Sequence, residues 1–207
     1  SHMWLVGSNK MLKRTHLVDS NYSFIEKYDD ALSSDECNQL ISYFENCDNK
    51  GKGAVTLYGK PVINEKMKKC IQLNAPSFAD KNILSEIILR SLMPCVKKYF
   101  KKNDYLTHWL GGRLGIDNIF AFKKFVSEDD GYKVWHTEHG PKKISERFLV
   151  WNFYLNDAKS GTEFMHYPNM DAKAGRCVIW PSGFTHMHRS MPNKSVKYIV
   201  SGWISFV

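Results

Sequence analysis

The chain has 207 residues, a formal net charge of +8, 43% apolar and 24% charged residues and a mean hydropathy of −0.40. That size suits one domain, and no apolar run approaches the roughly 18 residues a membrane-spanning helix needs. Five cysteines (Cys37, Cys47, Cys70, Cys95, Cys177), odd in number and without C-x-x-C spacing, argue against a disulfide framework and a zinc ribbon and make a reducing cytoplasm the expected compartment.

In chain order, Ser1-His2-Met3 reads as a cloning scar, and residues 1–10 are expected to be tag- or vector-derived or disordered, leaving 11–207 as a single domain. In "ALSSDECNQLISYFENC", Ser33 and Glu36 form a capping box that opens a helix, and Cys37, Leu40, Ile41 and Phe44 give it one apolar stripe. "NILSEIILRSLMPCVKKYFKK" predicts a second, longer helix that Pro94 kinks or divides. From about Arg113 the texture changes to short β-rich runs, "NIFAFKKFV", "YKVWHTE", "RFLVWNFYL", "RCVIWPS" and "VKYIVSGWISF", separated by Gly, Asp, Asn and Pro clusters. Helices followed by strands imply an α+β fold: a β-barrel or double-sheet core over about 113–207, buttressed by helical support over about 11–110. The positive charge lies in separate runs, "MKKC", "VKKYFKKN", "FKKF" and "GPKK". These read as solvated surface, since exposed aromatics are not interleaved with them as in a strand-binding groove.

The chemistry starts at "YKVWHTEHG". An acid two places after a histidine is expected about once by chance in this composition, so His136-Thr137-Glu138 needs corroboration. On a strand His136 and Glu138 point to the same face, and a 2-His-1-carboxylate facial triad requires that pair plus one distant histidine, with positions left open on Fe(II). The candidates are His186 and His188 in "WPSGFTHMHRSMPNKSVKYIVSGWI". A hairpin centred on Pro192-Asn193 would set His188 opposite Lys197 and turn that lysine inward. A buried ammonium demands an anion, and the distal carboxylate of 2-oxoglutarate suits that demand.

"YKVWHTE", "RFLVWNFYLND", "GTEF" and "HRSMPNKSVKYIVSGWI" together resemble the catalytic core of the Fe(II)- and 2-oxoglutarate-dependent dioxygenases, closest to the prolyl-4-hydroxylase-like branch with its small bacterial and phage members. The resemblance covers roughly residues 113–207, with weaker agreement in "PVINEKMKKC" and the capped helix. It implies a double-stranded β-helix (jelly roll) and iron ligands His136, Glu138 and His188. It also implies that Lys197 and Tyr154 hold the distal carboxylate of 2-oxoglutarate, with O2 as second co-substrate and ascorbate as a candidate reductant. The implied reaction is hydroxylation of a prolyl residue in a peptide or protein, in a host cytoplasm if the gene is phage-borne. His186 and His188 share a face by the two-residue rule. The spacing to Lys197 and the following Arg189 favours His188 within the family.

Three departures stand out. Glu138 replaces the usual aspartate, Lys197 stands where many relatives carry arginine, and Phe125 and Val126 lie where a tyrosine is common. His16, His108 and His166 have no partners at telling spacings and read as surface or core histidines; His139 reads as a loop residue. The cupin and zinc-protease motifs are incomplete, and the nucleic-acid demethylase signature after His188 is missing. The reading from another class is a catalytically silent jelly-roll module that binds a protein or nucleic-acid partner through its basic surface. Substrate identity and oligomeric state are not legible at this level.

Overall fold

The computed structural model describes residues 22–76 and 83–207; the expected tail of residues 1–10, and His16, lie outside them. Strand β1 (Glu26–Tyr28) leads into helix α1 (Ser34–Asn46), where Ser33 Oγ accepts from Glu36 N at 3.2 Å and Glu36 Oε2 accepts from Ser33 N at 2.8 Å. The expected capping box is therefore formed. Short strands follow: β2 (Gly51–Lys52), β3 (Val55–Leu57), β4 (Lys60–Val62), β5 (Lys68–Lys69) and β6 (Ile71–Pro76). Helix α2 (Ile83–Lys102) runs undivided through Pro94, and α3 (Asp104–Trp109) closes the helical part. A proline inside a helix costs about 3 kcal/mol. The row of α2 side chains buried on the sheet, Leu84, Ile87, Ile88, Leu92, Cys95 and Tyr99, offsets that cost.

The remaining strands are β7 (Leu114–Ile116), β8 (Ile119–Phe125), β9 (Gly131–Tyr132), β10 (Arg147–Tyr154), β11 (Ala158–Phe164), β12 (Met170–Ala172), β13 (Cys177–Pro181), β14 (His188–Ser190) and β15 (Lys197–Phe206). The large antiparallel sheet has the order β1-β13-β10-β15-β8-β6-β2, with β7 also on β15; a smaller sheet has the order β12-β11-β14. The first half is thus more than helical support, since β1, β2 and β6 extend the large sheet.

Alternation along the strands separates two cores. Leu149, Trp151 and Phe153 of β10 face the helices with Phe120, Phe122, Val200 and Ile204; Val150 and Tyr154 face inward with Phe164, Val178 and Trp180. The jelly-roll interior therefore lies between the two sheets, and the helices cover the outer face of the large one.

Trp151 is paired with Gly202 of β15 on the helix side, and a Cβ at 202 would run into the indole ring. We expect Gly202→Ala to lower the stability in urea by about 1–3 kcal/mol with the m-value unchanged.

Candidate metal centre

"YKVWHTE" is expected to be a strand, yet only Gly131–Tyr132 at its start is extended and paired. His136 instead makes an isolated antiparallel bridge to His188, its N–H donating to His188 O at 3.1 Å and the reverse bond measuring 3.0 Å. Residues that exchange both bonds put their side chains on the same face. The two rings accordingly lie 4.3 Å apart between centroids. The next residues are pinned to one carbonyl: Glu138 N and His139 N donate to Ser182 O at 3.1 and 3.0 Å, and Thr137 Oγ1 donates to the same atom at 2.5 Å.

This brings the three expected ligands together. Nε2 of His136 and of His188 lie 3.6 and 3.8 Å from Glu138 Oε1, and the three donor atoms fall within 4.8 Å of one another. Nδ1 of His136 donates to Val134 O at 3.1 Å and Nδ1 of His188 to His186 O at 3.0 Å. A carbonyl can only accept, so both rings are held as Nδ1–H tautomers with the Nε2 lone pair free to bind a metal. Tyr132 stacks on His136 at 3.5 Å, and Trp180 and Phe164 pack around His188. The other oxygen of Glu138, Oε2, accepts from Arg147 Nη1 at 3.2 Å and Trp203 Nε1 at 3.1 Å, while the guanidinium lies over the Trp203 ring at 3.6 Å. Burial alone would raise the Glu138 carboxyl; in the metal-free protein a proton on either facing Nε2 outweighs burial and holds the group well below the usual range. Burial, reinforced by the His188 charge, lowers His136. Two imidazole nitrogens and one carboxylate oxygen are a donor set that suits a ferrous ion.

His186 is turned away from this cluster. It sits in a 3-10 turn rather than on the strand, its Nε2 donates to Ser23 O at 2.6 Å, its Nδ1 bonds Thr185 Oγ1 at 2.9 Å, and its ring stacks on Tyr167. His139, exposed, bonds Ser145 O at 2.7 Å and points elsewhere, as expected.

The expected hairpin does not form. His188 pairs with Phe164 of β11, and Lys197 pairs with Phe125 of β8. Pro192-Asn193 lies in a longer connection that carries the chain from the small sheet to the large one. Lys197 nevertheless faces inward, 2% exposed, by the alternation of β15. Its Nζ donates to Ser160 Oγ at 2.7 Å and Gly161 O at 3.2 Å and lies over the Phe125 ring. Burial, with no acidic group among the described residues acting on it, pushes its pKa down to about 8. Tyr154 Oη bonds Thr162 Oγ1 at 2.6 Å, on the same strand β11 that receives Lys197.

Sequence reasoning missed the lysines that line the cavity at the metal centre. Of the doublet in "FKKF", Lys124 points out to Glu45 at 2.7 Å while Lys123 points in and donates to Ser201 Oγ at 2.7 Å. In "MKKC", Lys69 reaches Asp129 at 2.9 Å while Lys68 is 5% exposed and bonds Gln72 Oε1 and Ala54 O. A doublet inside a strand must send one side chain to each face, so the reading of these runs as solvated surface holds only for Lys69 and Lys124.

Residues 121–205 match the 2OG-Fe(II) oxygenase superfamily. No curated protein matches the chain. Among solved structures, a Pseudomonas putida prolyl-4-hydroxylase shares 13% identity over 89% of this chain and 94% of its own, with a TM-score of 0.64. A viral collagen prolyl hydroxylase from Paramecium Bursaria Chlorella virus-1, in complex with 2-oxoglutarate, shares 14% over 89% and 97%, TM-score 0.63. A Trichoplax adhaerens prolyl hydroxylase bound to a hypoxia inducible factor peptide fragment shares 15% over 90% and 85%, TM-score 0.69. The fold is that of the prolyl-4-hydroxylase-like 2OG oxygenases.

The buried Lys197 ammonium is a cost to the free protein. The unfolded chain holds this proton up to about pH 10.5 and the folded chain only up to about 8. The penalty is thus fully present below pH 8 and fades as the pH rises to 10.5. We expect Lys197→Met to raise the stability of the ligand-free chain by on the order of 2 kcal/mol at pH 7, the gain shrinking toward zero near pH 10 in urea titrations.

Proposed function

We propose that the chain is an Fe(II)- and 2-oxoglutarate-dependent dioxygenase that hydroxylates a prolyl residue in a peptide or protein. The observation that carries the dioxygenase reading is the convergence of two tautomer-locked Nε2 atoms on Glu138 Oε1. His136, Glu138 and His188 would hold the iron, and the match of residues 121–205 to the 2OG-Fe(II) oxygenase superfamily supports that assignment. The prolyl reading is supported by the prolyl hydroxylases that share this fold, one of them with a peptide bound.

Ferrous iron with 2-oxoglutarate and O2 supplies the oxidising chemistry, and 2-oxoglutarate leaves as succinate and carbon dioxide. The chain supplies everything that positions it. Lys197 and Tyr154, now satisfied by the neutral acceptors Ser160, Gly161 and Thr162, would turn to the distal carboxylate. An ionic acceptor makes roughly twice as strong a bond as a neutral one, and it removes the burial penalty on the lysine. Arg147 and Trp203 hold the outer oxygen of Glu138 so that the inner one faces the histidines. Tyr132, Trp180 and Phe164 wall the imidazoles from water.

Anaerobic addition of Fe(II) and 2-oxoglutarate is expected to give the weak visible charge-transfer band of the chelate. His136→Ala, Glu138→Ala and His188→Ala should each abolish it, while His186→Ala keeps it despite a loss of stability. Lys197→Met should demand at least about tenfold more 2-oxoglutarate for the same band. A band that survives His188→Ala, or no band in the unaltered chain, rejects the assignment. For the substrate, mass spectrometry of peptides incubated with the complete enzyme should show a gain of one oxygen on proline; a gain on other residues alone rejects the prolyl reading.

A further inference from the structure

The cavity over the metal centre, about 690 Å³, and a smaller chamber of about 60 Å³ beneath it share the walls Lys68, Lys123, Tyr132, His136 and Glu138. Two of these five are lysines that the co-substrate reading leaves without a task. Lys123 stands opposite Ile199 in the β8–β15 register, two residues along β15 from Lys197, so about 7 Å of strand separates the two levels. Lys197 lines neither chamber wall with them.

Charge balance shows what is missing. Ferrous iron and dianionic 2-oxoglutarate cancel, and Lys197 offsets Glu138. Arg147, Lys68 and Lys123 remain. Arg147 has Asp117 acting on it as well as Glu138, and Glu146 is exposed at the rim. Among the described residues, Glu138 is the one carboxylate acting on Lys68 and Lys123, and the two lysines are close enough for Lys68 to repel Lys123. Burial and that repulsion push Lys123 down to about 8. Their hydrogen-bond partners are all neutral: Ser201 Oγ for Lys123, Gln72 Oε1 and Ala54 O for Lys68. Two ammonium groups with neutral partners at one cavity wall, Lys68 buried and Lys123 half-buried, are unfavourable unless an anion arrives.

We propose that Lys68 and Lys123 form an oxyanion subsite of the substrate pocket, so that the substrate carries a carboxylate or phosphate close to the C–H bond that is oxidised. This rests on the dioxygenase reading above. On a peptide substrate the group is an acidic or phosphorylated side chain beside the target residue. The site needs no other cation, because the two lysines approach from different strands, β5 and β8, and can grip two oxygens of one group.

The test is calorimetry on the chain loaded with 2-oxoglutarate and Zn(II) in place of iron, which reads binding without turnover. The probes are N-acetyl-glutamate, N-acetyl-glutamine as its uncharged control, and inorganic phosphate. The glutamate or the phosphate should bind at least about tenfold tighter than the glutamine, and whichever of the two is tighter identifies the group. Lys123→Met and Lys68→Met, near-isosteric changes that remove a buried charge and leave the fold intact, should each cost about tenfold in that affinity and change 2-oxoglutarate affinity by less than about twofold. Equal binding of acid and amide with no phosphate binding overturns the proposal. So does a loss of 2-oxoglutarate affinity in Lys123→Met as large as that in Lys197→Met, which would make Lys123 a co-substrate residue. Failure of the unaltered chain to bind 2-oxoglutarate at all would instead sink the dioxygenase reading beneath it.

Discussion

Two main-chain hydrogen bonds between His136 and His188 hold the candidate site together. They join an irregular segment after β9 to the edge strand β14 of the small sheet, and they set both imidazoles on one side of that junction. Each ring is then turned by its own Nδ1 bond to a carbonyl within two residues of it in the chain. The donor geometry is therefore fixed by backbone and needs little ordering when a cation enters, which leaves more of the binding energy for affinity. The Ser182 carbonyl does the same for Glu138 by taking up the amides of Glu138 and His139 and the Thr137 hydroxyl. Two backbone anchors from the β13–β14 stretch thus position a triad whose members lie far apart in the chain.

The interior those anchors border is strongly charged. Lys68, Lys123, Lys197, Arg147 and Glu138 all project between the sheets or into their mouth, and only Arg147 and Glu138 are paired with each other at hydrogen-bond distance. Such groups reduce stability in the free protein. The chain tolerates them because its main apolar core lies elsewhere, on the outer face of the large sheet under α1 and α2. The division follows from strand alternation: even-numbered positions of β15, Val200, Gly202 and Ile204, face the helix core, while odd-numbered Lys197, Ser201 and Trp203 face the jelly-roll interior.

Much of this is legible in the sequence, and what is not has physical reasons. The capped helix and the strands ending in Tyr154, Pro181 and Phe206 follow from caps and apolar runs. The motif resemblance names three side chains that the structure brings together, and Lys197 faces inward as expected. The route to that lysine was different: a hairpin requires neighbouring strands, and in a jelly roll the chain crosses from one sheet to the other between His188 and Lys197, so a local turn motif cannot reveal the pairing. His136 and Glu138 converge through anchoring at His188 O and Ser182 O rather than through strand alternation, and such long-range bonds leave no periodic trace. Strands β1, β2, β11, β12 and β14 are too short or too polar to stand out. The inward lysines were the avoidable miss, because the two-residue period of a strand already assigns one member of "KK" to the interior once "NIFAFKKFV" is read as β.

Glutamate where the resembled dioxygenases usually carry aspartate fits this local backbone. Because the segment Thr137–His139 is clamped to Ser182 O and not extended alongside its neighbours, its side chains start from the wall of the cavity. The carboxylate at 138 has two tasks that pull in different directions: Oε1 faces the two Nε2 atoms at 3.6 and 3.8 Å, while Oε2 reaches Arg147 and Trp203 at 3.2 and 3.1 Å. Arg147 begins β10 and Trp203 lies near the end of β15, so both donors are held by the large sheet. The additional methylene of glutamate lets one carboxylate span from that sheet to the imidazoles, and the stacking of the guanidinium on the indole fixes the far end of the span. A shorter aspartate from the same backbone position would have to give up one side of that bridge. The substitution and the Arg147–Trp203 pair therefore belong together as one structural solution.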